Sequence, residues 1–116
     1  MEATVIPRKK VTDKLEKDVE GDLVKWVLRN GGETIKFTPR GSVGWPDRMV
    51  FFPDIFIWVE VKKAGKEPTS MQYYRLATLR QYGQAALWGA SLDSLTNQIG
   101  EICKANRYHL KVQPTG

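Results

Sequence analysis

Residues 48–52 and 55–62 are two β-rich runs, RMVFF and IFIWVEVK, separated only by Pro53-Asp54. Two such runs around a two-residue turn predict a β-hairpin. The second run begins apolar on both faces, which predicts a central strand covered on both sides. Pairing about the turn sets Asp47 directly opposite Glu60. Opposed residues share a face with Cβ atoms about 5 Å apart, and Lys62 joins that face because side chains repeat every two residues along a strand. Two carboxylates and an ammonium are thereby expected at one end of the hairpin.

Two carboxylates at that spacing repel by roughly 3 kcal/mol at an effective dielectric of 20, and a divalent cation relieves the repulsion. Mg²⁺ takes one or two carboxylates and keeps water and phosphate oxygens as its other ligands. Asp47 and Glu60 supply such a pair, and the carbonyl of Val61 adds an oxygen. Lys62 is suited to orient or deprotonate a water and to offset transition-state charge, so metal-assisted phosphodiester hydrolysis follows. The competing reading is a plain salt bridge between Lys62 and either acid. A strand as apolar as this one would not keep Glu and Lys at its buried end for that alone. The second Pro-Asp pair is excluded, since Asp54 occupies the turn and lies about 20 Å of strand from Glu60.

Around this hairpin the periodicity predicts the order α-β-β-β-α-β-α-β. A first helix starts at Asp13, with Asp13 and Glu16 as a capping-box variant. It carries Leu15, Val19, Leu23, Trp26 and Val27 and stops at Gly31-Gly32. Glu20 borders its apolar stripe. A strand over residues 33–38 leads into the loop from Pro39 to Pro46, whose glycines permit unusual backbone angles. Thr69 or Ser70 caps a second helix running to Tyr82, with Met71, Leu76 and Leu79 inward. A buried strand at 84–88, a third helix at 92–104 with Leu95, Ile99, Ile102 and Cys103, and a last strand at 108–112 complete the reading.

At 116 residues the chain holds one ordinary core; residues 1–12 read as a basic arm and 13–116 as one domain. Twelve aromatic residues (four each of Trp, Tyr and Phe) argue against disorder. A net charge of +5 favours polyanionic partners. The single cysteine, Cys103, forbids an internal disulfide. The longest apolar run, residues 55–59, is far below the roughly 20 residues of a membrane helix. With no signal-peptide pattern at the N-terminus, the expectation is a soluble intracellular protein without a membrane partner. His109, the only histidine, lies far from the hairpin and receives no role. No Cys-His cluster suggests zinc, and no phosphate loop suggests nucleotide hydrolysis.

Glu20, Gly44-Trp45-Pro46-Asp47-Arg48, Glu60-Val61-Lys62 and Gln72 with Leu79 together resemble the VRR-NUC family, a branch of the PD-(D/E)xK nucleases, over about residues 13–90. The resemblance implies an α/β fold with a restriction-endonuclease-like α-β-β-β-α-β core, a mixed central sheet flanked by helices. It implies that Asp47, Glu60 and the Val61 carbonyl hold Mg²⁺, with Mn²⁺ as a substitute. Glu20 contributes to the metal directly or through water, and Lys62 is the catalytic lysine. Gln72 matches the family's Q-x6-L glutamine, either in the site or as a structural amide. Branched DNA, four-way junctions above all, a homodimer and the cytoplasm of a bacterial or phage-infected cell are implied likewise.

Arg40, Arg48, Lys63, Lys66 and Arg75 lie in or beside loops expected to rim the site and are candidates for DNA phosphate contacts. Trp45 either stacks on an exposed base or packs against its own domain. Two rivals stand beside the junction endonuclease. One is an inactive DNA-binding module of the same fold, which the intact Asp47, Glu60 and Lys62 disfavour. The other is a sequence-specific restriction-type nuclease, for whose base-reading element the short chain leaves little room.

Overall fold

A computed structural model describes residues 16–115; the basic arm, Asp13 and Leu15 lie outside them. The elements are α1 (Glu16–Arg29), β1 (Glu33–Lys36), β2 (Arg48–Phe52), β3 (Ile55–Val61), α2 (Ser70–Gln81), β4 (Ala85–Gly89) and α3 (Leu92–Ala105). The strands form one mixed sheet in the order β1-β2-β3-β4, antiparallel at its first two junctions and parallel between β3 and β4. α1 and α3 cover one face and α2 the other, giving three layers. No helix among the described residues is long and apolar enough to cross a membrane.

The hairpin has the expected register, with Arg48 opposite Val59 and Phe52 opposite Ile55. The ring of Pro53 holds its φ negative, and Asp54 takes φ +62, the sign pattern of a type II turn. Alternation along β3 sends Ile55, Ile57, Val59 and Val61 to the α1/α3 side, where they meet Val19, Leu23, Trp26 and Val27 of α1 and Leu95, Ile99 and Cys103 of α3. Each such side chain, fully buried, contributes about 1.5–3 kcal/mol. The opposite layer is thinner: among the described residues its buried hydrophobic cluster is Leu76, Leu79 and Ala86, with Trp45, Trp58 and Trp88 packed around them. Met71, expected inward, is 45% exposed. It stands at the start of α2 over Gly44, where a Cβ would meet its Cγ at 2.5 Å, rather than over the sheet.

The expected last strand does not form; residues 108–112 are irregular. The outer edge of β4 is already occupied, because Arg80 Nε donates to Ala86 O at 2.8 Å and Gln98 Nε2 to Trp88 O at 2.8 Å. The tail satisfies its own groups elsewhere. Asn30, fully buried, accepts from Val112 N at 2.7 Å and donates to Val112 O at 3.0 Å, while Trp26 Nε1 donates to Gln113 O at 3.1 Å. A buried amide with its partners met takes over the tethering that a ladder would have provided.

Candidate active site

Asp47 stands one residue before β2 and Glu60 near the end of β3, and the two are tied reciprocally. Asp47 N–H donates to Glu60 Oε1 at 3.2 Å, and Val61 N–H donates to Asp47 Oδ1 at 3.3 Å. Alternation puts both on the α2 face while Val61 enters the opposite core. Lys62 follows β3, its N–H on Gly89 O at 2.9 Å, so it returns to the same face; Nζ lies 3.3 Å from Glu60 Oε2. The fourth member comes from α2. Thr69 caps that helix in a full capping box: Gln72 N–H donates to Thr69 Oγ1 at 3.2 Å, and Thr69 N–H to Gln72 Oε1 at 2.9 Å. The amide is thus fixed at its oxygen, and its Nε2 donates to Glu60 Oε2 at 3.1 Å. Gln72 is both a structural amide and a contact to a candidate ligand.

Burial first, and the Glu60 charge second, push the Asp47 carboxyl up to about 7 against a lowering by the Val61 N–H; Glu20 and Glu16 add smaller increments. Glu60 is raised as well, mainly by burial, with Lys62 and the Asp47 N–H opposing and Glu16 adding to the rise. Two paired carboxylates that both resist ionisation are a donor set that a divalent cation stabilises. Asp47, Glu60 and the Val61 carbonyl are the oxygen donors that could hold a divalent cation. Among the described residues, no three His, Cys, Asp or Glu side chains cluster as a larger metal cage.

Glu20 hydrogen-bonds Arg48 rather than Asp47 or Glu60, while its charge reaches Asp47. Asp47 and Arg48 are consecutive, so they point to opposite faces of the sheet, and Arg48 faces α1. Its Nε and Nη2 lie 3.0 and 2.7 Å from Glu20 Oε2, with Lys36 Nζ at 3.5 Å from the same oxygen. Arg48 Nη1 also donates to Thr34 Oγ1 at 3.2 Å. Glu20 and Arg48 are each 8% exposed, so Arg48 is an internal ion-pair partner and not a rim residue. Glu16, one turn earlier on the same helix face, is the acid whose charge reaches both Asp47 and Glu60. In the sequence Glu16 is both a cap candidate and, by its i, i+4 spacing, a member of the Glu20 row.

Arg40, Lys63 and Lys66 are exposed. Arg75 is half-buried, its guanidinium 4.5 Å over the Trp45 ring and its Nη2 on Val43 O at 3.3 Å. Trp45 packs within its own domain, against Phe37 and Trp58 with centroids 5.5 Å away, and its Nε1 donates to Ser42 Oγ at 2.8 Å. The loop before Asp47 is therefore clamped onto the start of α2. His109 lies near the end of α3, away from the site, and Cys103 is a buried thiol pushed up to about 11 by that burial.

No family model matches the chain. A protein of Acyrthosiphon pisum secondary endosymbiont phage 1, named "Putative nuclease p44", is 37% identical over 73 residues, which cover 62% of this chain and 78% of that one. A solved "VRR_NUC domain" superposes with a TM-score of 0.67 at 23% identity, covering 73% of this chain and 94% of its own. A solved "VRR_NUC domain protein" gives 0.66 at 22% identity, covering 79% and 90%. With that relative in sequence, and with an Asp, a Glu and a Lys meeting at the end of the hairpin, the chain belongs to the family of the phage protein named as a nuclease and has the fold of the solved VRR_NUC domains.

Proposed function

We propose that this protein is a Mg²⁺-dependent endodeoxyribonuclease, with Mn²⁺ as a substitute, that hydrolyses phosphodiester bonds in branched DNA, four-way junctions foremost. The observation that carries the reading is the reciprocal tie between Asp47 and Glu60 with Lys62 on the Glu60 oxygen. The phage relative described above as a nuclease supports the same reaction class.

Asp47, Glu60 and the Val61 carbonyl would hold the ion, and a divalent cation bound there would supply Lewis-acid polarisation of the scissile phosphate and a more acidic water. The backbone N–H groups of Asp47 and Val61 fix the two carboxylates in one arrangement, so little reorganisation is needed on binding. Lys62, held by Glu60, presents its ammonium beside that pair to orient the attacking water and offset charge on the phosphorane. Gln72 keeps the Glu60 oxygen oriented from the other side. Exposed Arg40, Lys63 and Lys66 attract the DNA backbone. A twofold homodimer suits a four-way junction, which has two strands to cut, in the cytoplasm of a bacterial or phage-infected cell.

The test is cleavage of labelled four-way junctions, flaps and linear duplex, with and without Mg²⁺, by the wild type and by Asp47→Ala and Lys62→Ala. Metal-dependent cutting of the branched substrates, lost in both variants, is the expected result. Equal binding by all three proteins without cleavage defeats the enzyme reading. Cutting of linear duplex at one sequence as readily as at any branch defeats the structure selectivity.

A further inference from the structure

Across the sheet from Glu60 the parallel register sets Trp88 as its neighbour on the edge strand. Adjacent strands lie about 4.8 Å apart. Just beyond, at the carboxyl ends of β3 and β4, the surface opens into a cleft of about 540 Å³ lined by Trp88, Ala64, Gly65, Ser91, Ser94 and Gln98. In open sheets with parallel strands, this position outside the carboxyl ends is where ligands bind. The cleft and the site share backbone, for Lys62 N–H donates to Gly89 O at the cleft's floor.

Resting on the nuclease reading, we infer that this cleft receives the nucleoside beside the scissile phosphate, with its base unpaired and stacked on Trp88. Trp88 is the one large aromatic residue among those that line the cleft, its ring edge-to-face with Tyr73 at 6.1 Å between centroids, and the remaining residues are small or modestly polar. Ala64, Gly65, Gly89 and Ala90 are the small residues of the lining. No carboxylate lines the cleft, while Lys62 and Lys63 immediately precede its Ala64-Gly65 wall, so its charge suits a nucleotide. Gln98 Nε2 is preset on Trp88 O at 2.8 Å and on Ser94 Oγ at 3.1 Å, which holds the polar wall in place.

An added β-strand is not the occupant, since Arg80 and Gln98 already take the outward carbonyls of Ala86 and Trp88. A base still paired in a duplex is carried with its partner and cannot enter a cleft of this size alone; an unpaired one can, at the unstacking cost its context sets. The inference therefore assigns the substrate class more narrowly: a strand with an unpaired nucleotide next to the cut.

The test uses four-way junctions carrying either natural nucleotides or an abasic tetrahydrofuran residue at the positions flanking the mapped cut. KM and kcat are measured for the wild type, for Ala64→Phe, which fills the cleft from an exposed loop, and for Ser94→Leu, which fills it from α3. The abasic residue at one flanking position is expected to raise the wild-type KM about tenfold, the scale of one base–aromatic stack. In both filled variants the same replacement should change KM by less than about twofold, while calorimetric Mn²⁺ affinity matches the wild type. An abasic penalty equal in all three proteins, or none in the wild type, overturns the inference and leaves the nuclease reading intact. A wild type that cuts no substrate defeats the nuclease reading itself.

Discussion

Gln72 Nε2 donates to Glu60 Oε2 at 3.1 Å, and that oxygen also faces the Lys62 ammonium at 3.3 Å. The amide reaches it from the capping box of α2, so the same side chain that starts the helix orients a candidate metal ligand. This joint separates the two roles experimentally. Gln72→Ala should lose about 1 kcal/mol of stability with the cap and lose cleavage besides. Gln72→Glu keeps an acceptor for Thr69 N–H but sets a negative charge against Glu60. It should unfold near the wild-type midpoint and bind Mn²⁺ more weakly. Denaturation and calorimetry on both variants check this; equal Mn²⁺ affinity in Gln72→Glu and wild type would count against the Glu60 contact.

Lys62→Met and Asp47→Asn should fail differently. Lys62 donates no oxygen, so its variant is expected to retain Mn²⁺ within a few-fold while cleavage falls by about 10²–10⁴. Asp47→Asn removes the charge of a candidate ligand and should lose metal affinity and cleavage together. Titration with Mn²⁺ followed by single-turnover cleavage distinguishes them.

The Asp47 carboxyl, pushed up to about 7 from 3.8 by burial and then by Glu60, sets a pH dependence. Between those values the folded chain holds a proton that the unfolded chain has released. This contribution is fully present below about 3.8 and is lost as pH rises through about 7. The raised Glu60 acts in the same direction. Urea midpoints of the metal-free protein should therefore fall between about pH 5 and pH 7.5, with Asp47→Asn showing a flatter profile. Saturating Mg²⁺, which selects the ionised pair, should remove most of the fall.

The Glu20–Arg48 pair is a buried ion pair, and breaking one side leaves an uncompensated charge. Glu20→Ala is expected to cost about 3–5 kcal/mol, whereas Glu20→Met combined with Arg48→Met should cost much less. Unfolding free energies of the two singles and the double give the coupling. A Glu20→Ala variant of wild-type stability with no Mn²⁺ binding would return Glu20 to the metal.

The local elements were legible because they rest on local causes. The apolar spacing of Val19, Leu23, Trp26 and Val27, the Thr69 cap and the Pro53-Asp54 turn are each set by neighbours in sequence, and all three appear as read. The hairpin register also carried Asp47 to Glu60 and Lys62, since alternation with period two admits only one facing. Trp45, Arg48 and Glu20 were not fixed in this way. Whether an aromatic or charged side chain meets solvent or a neighbour depends on which helix lies over which face, and only assembly of the layers decides that. The tail is the same case: residues 108–112 alternate like a strand, but Arg80 and Gln98 cover the outer edge of β4 and the tail is tied to Asn30 and Trp26 instead.

The sequence by itself determined the helices, the hairpin and the meeting of Asp47, Glu60 and Lys62, because turn geometry and strand alternation act over a few residues. The tertiary structure alone decided that Glu20 pairs with Arg48 across the sheet from Asp47, that Gln72 closes on Glu60, and that a cleft opens beside Trp88. Those contacts join residues far apart in the chain, and their geometry exists only once α1 and α2 have packed on opposite faces of one sheet.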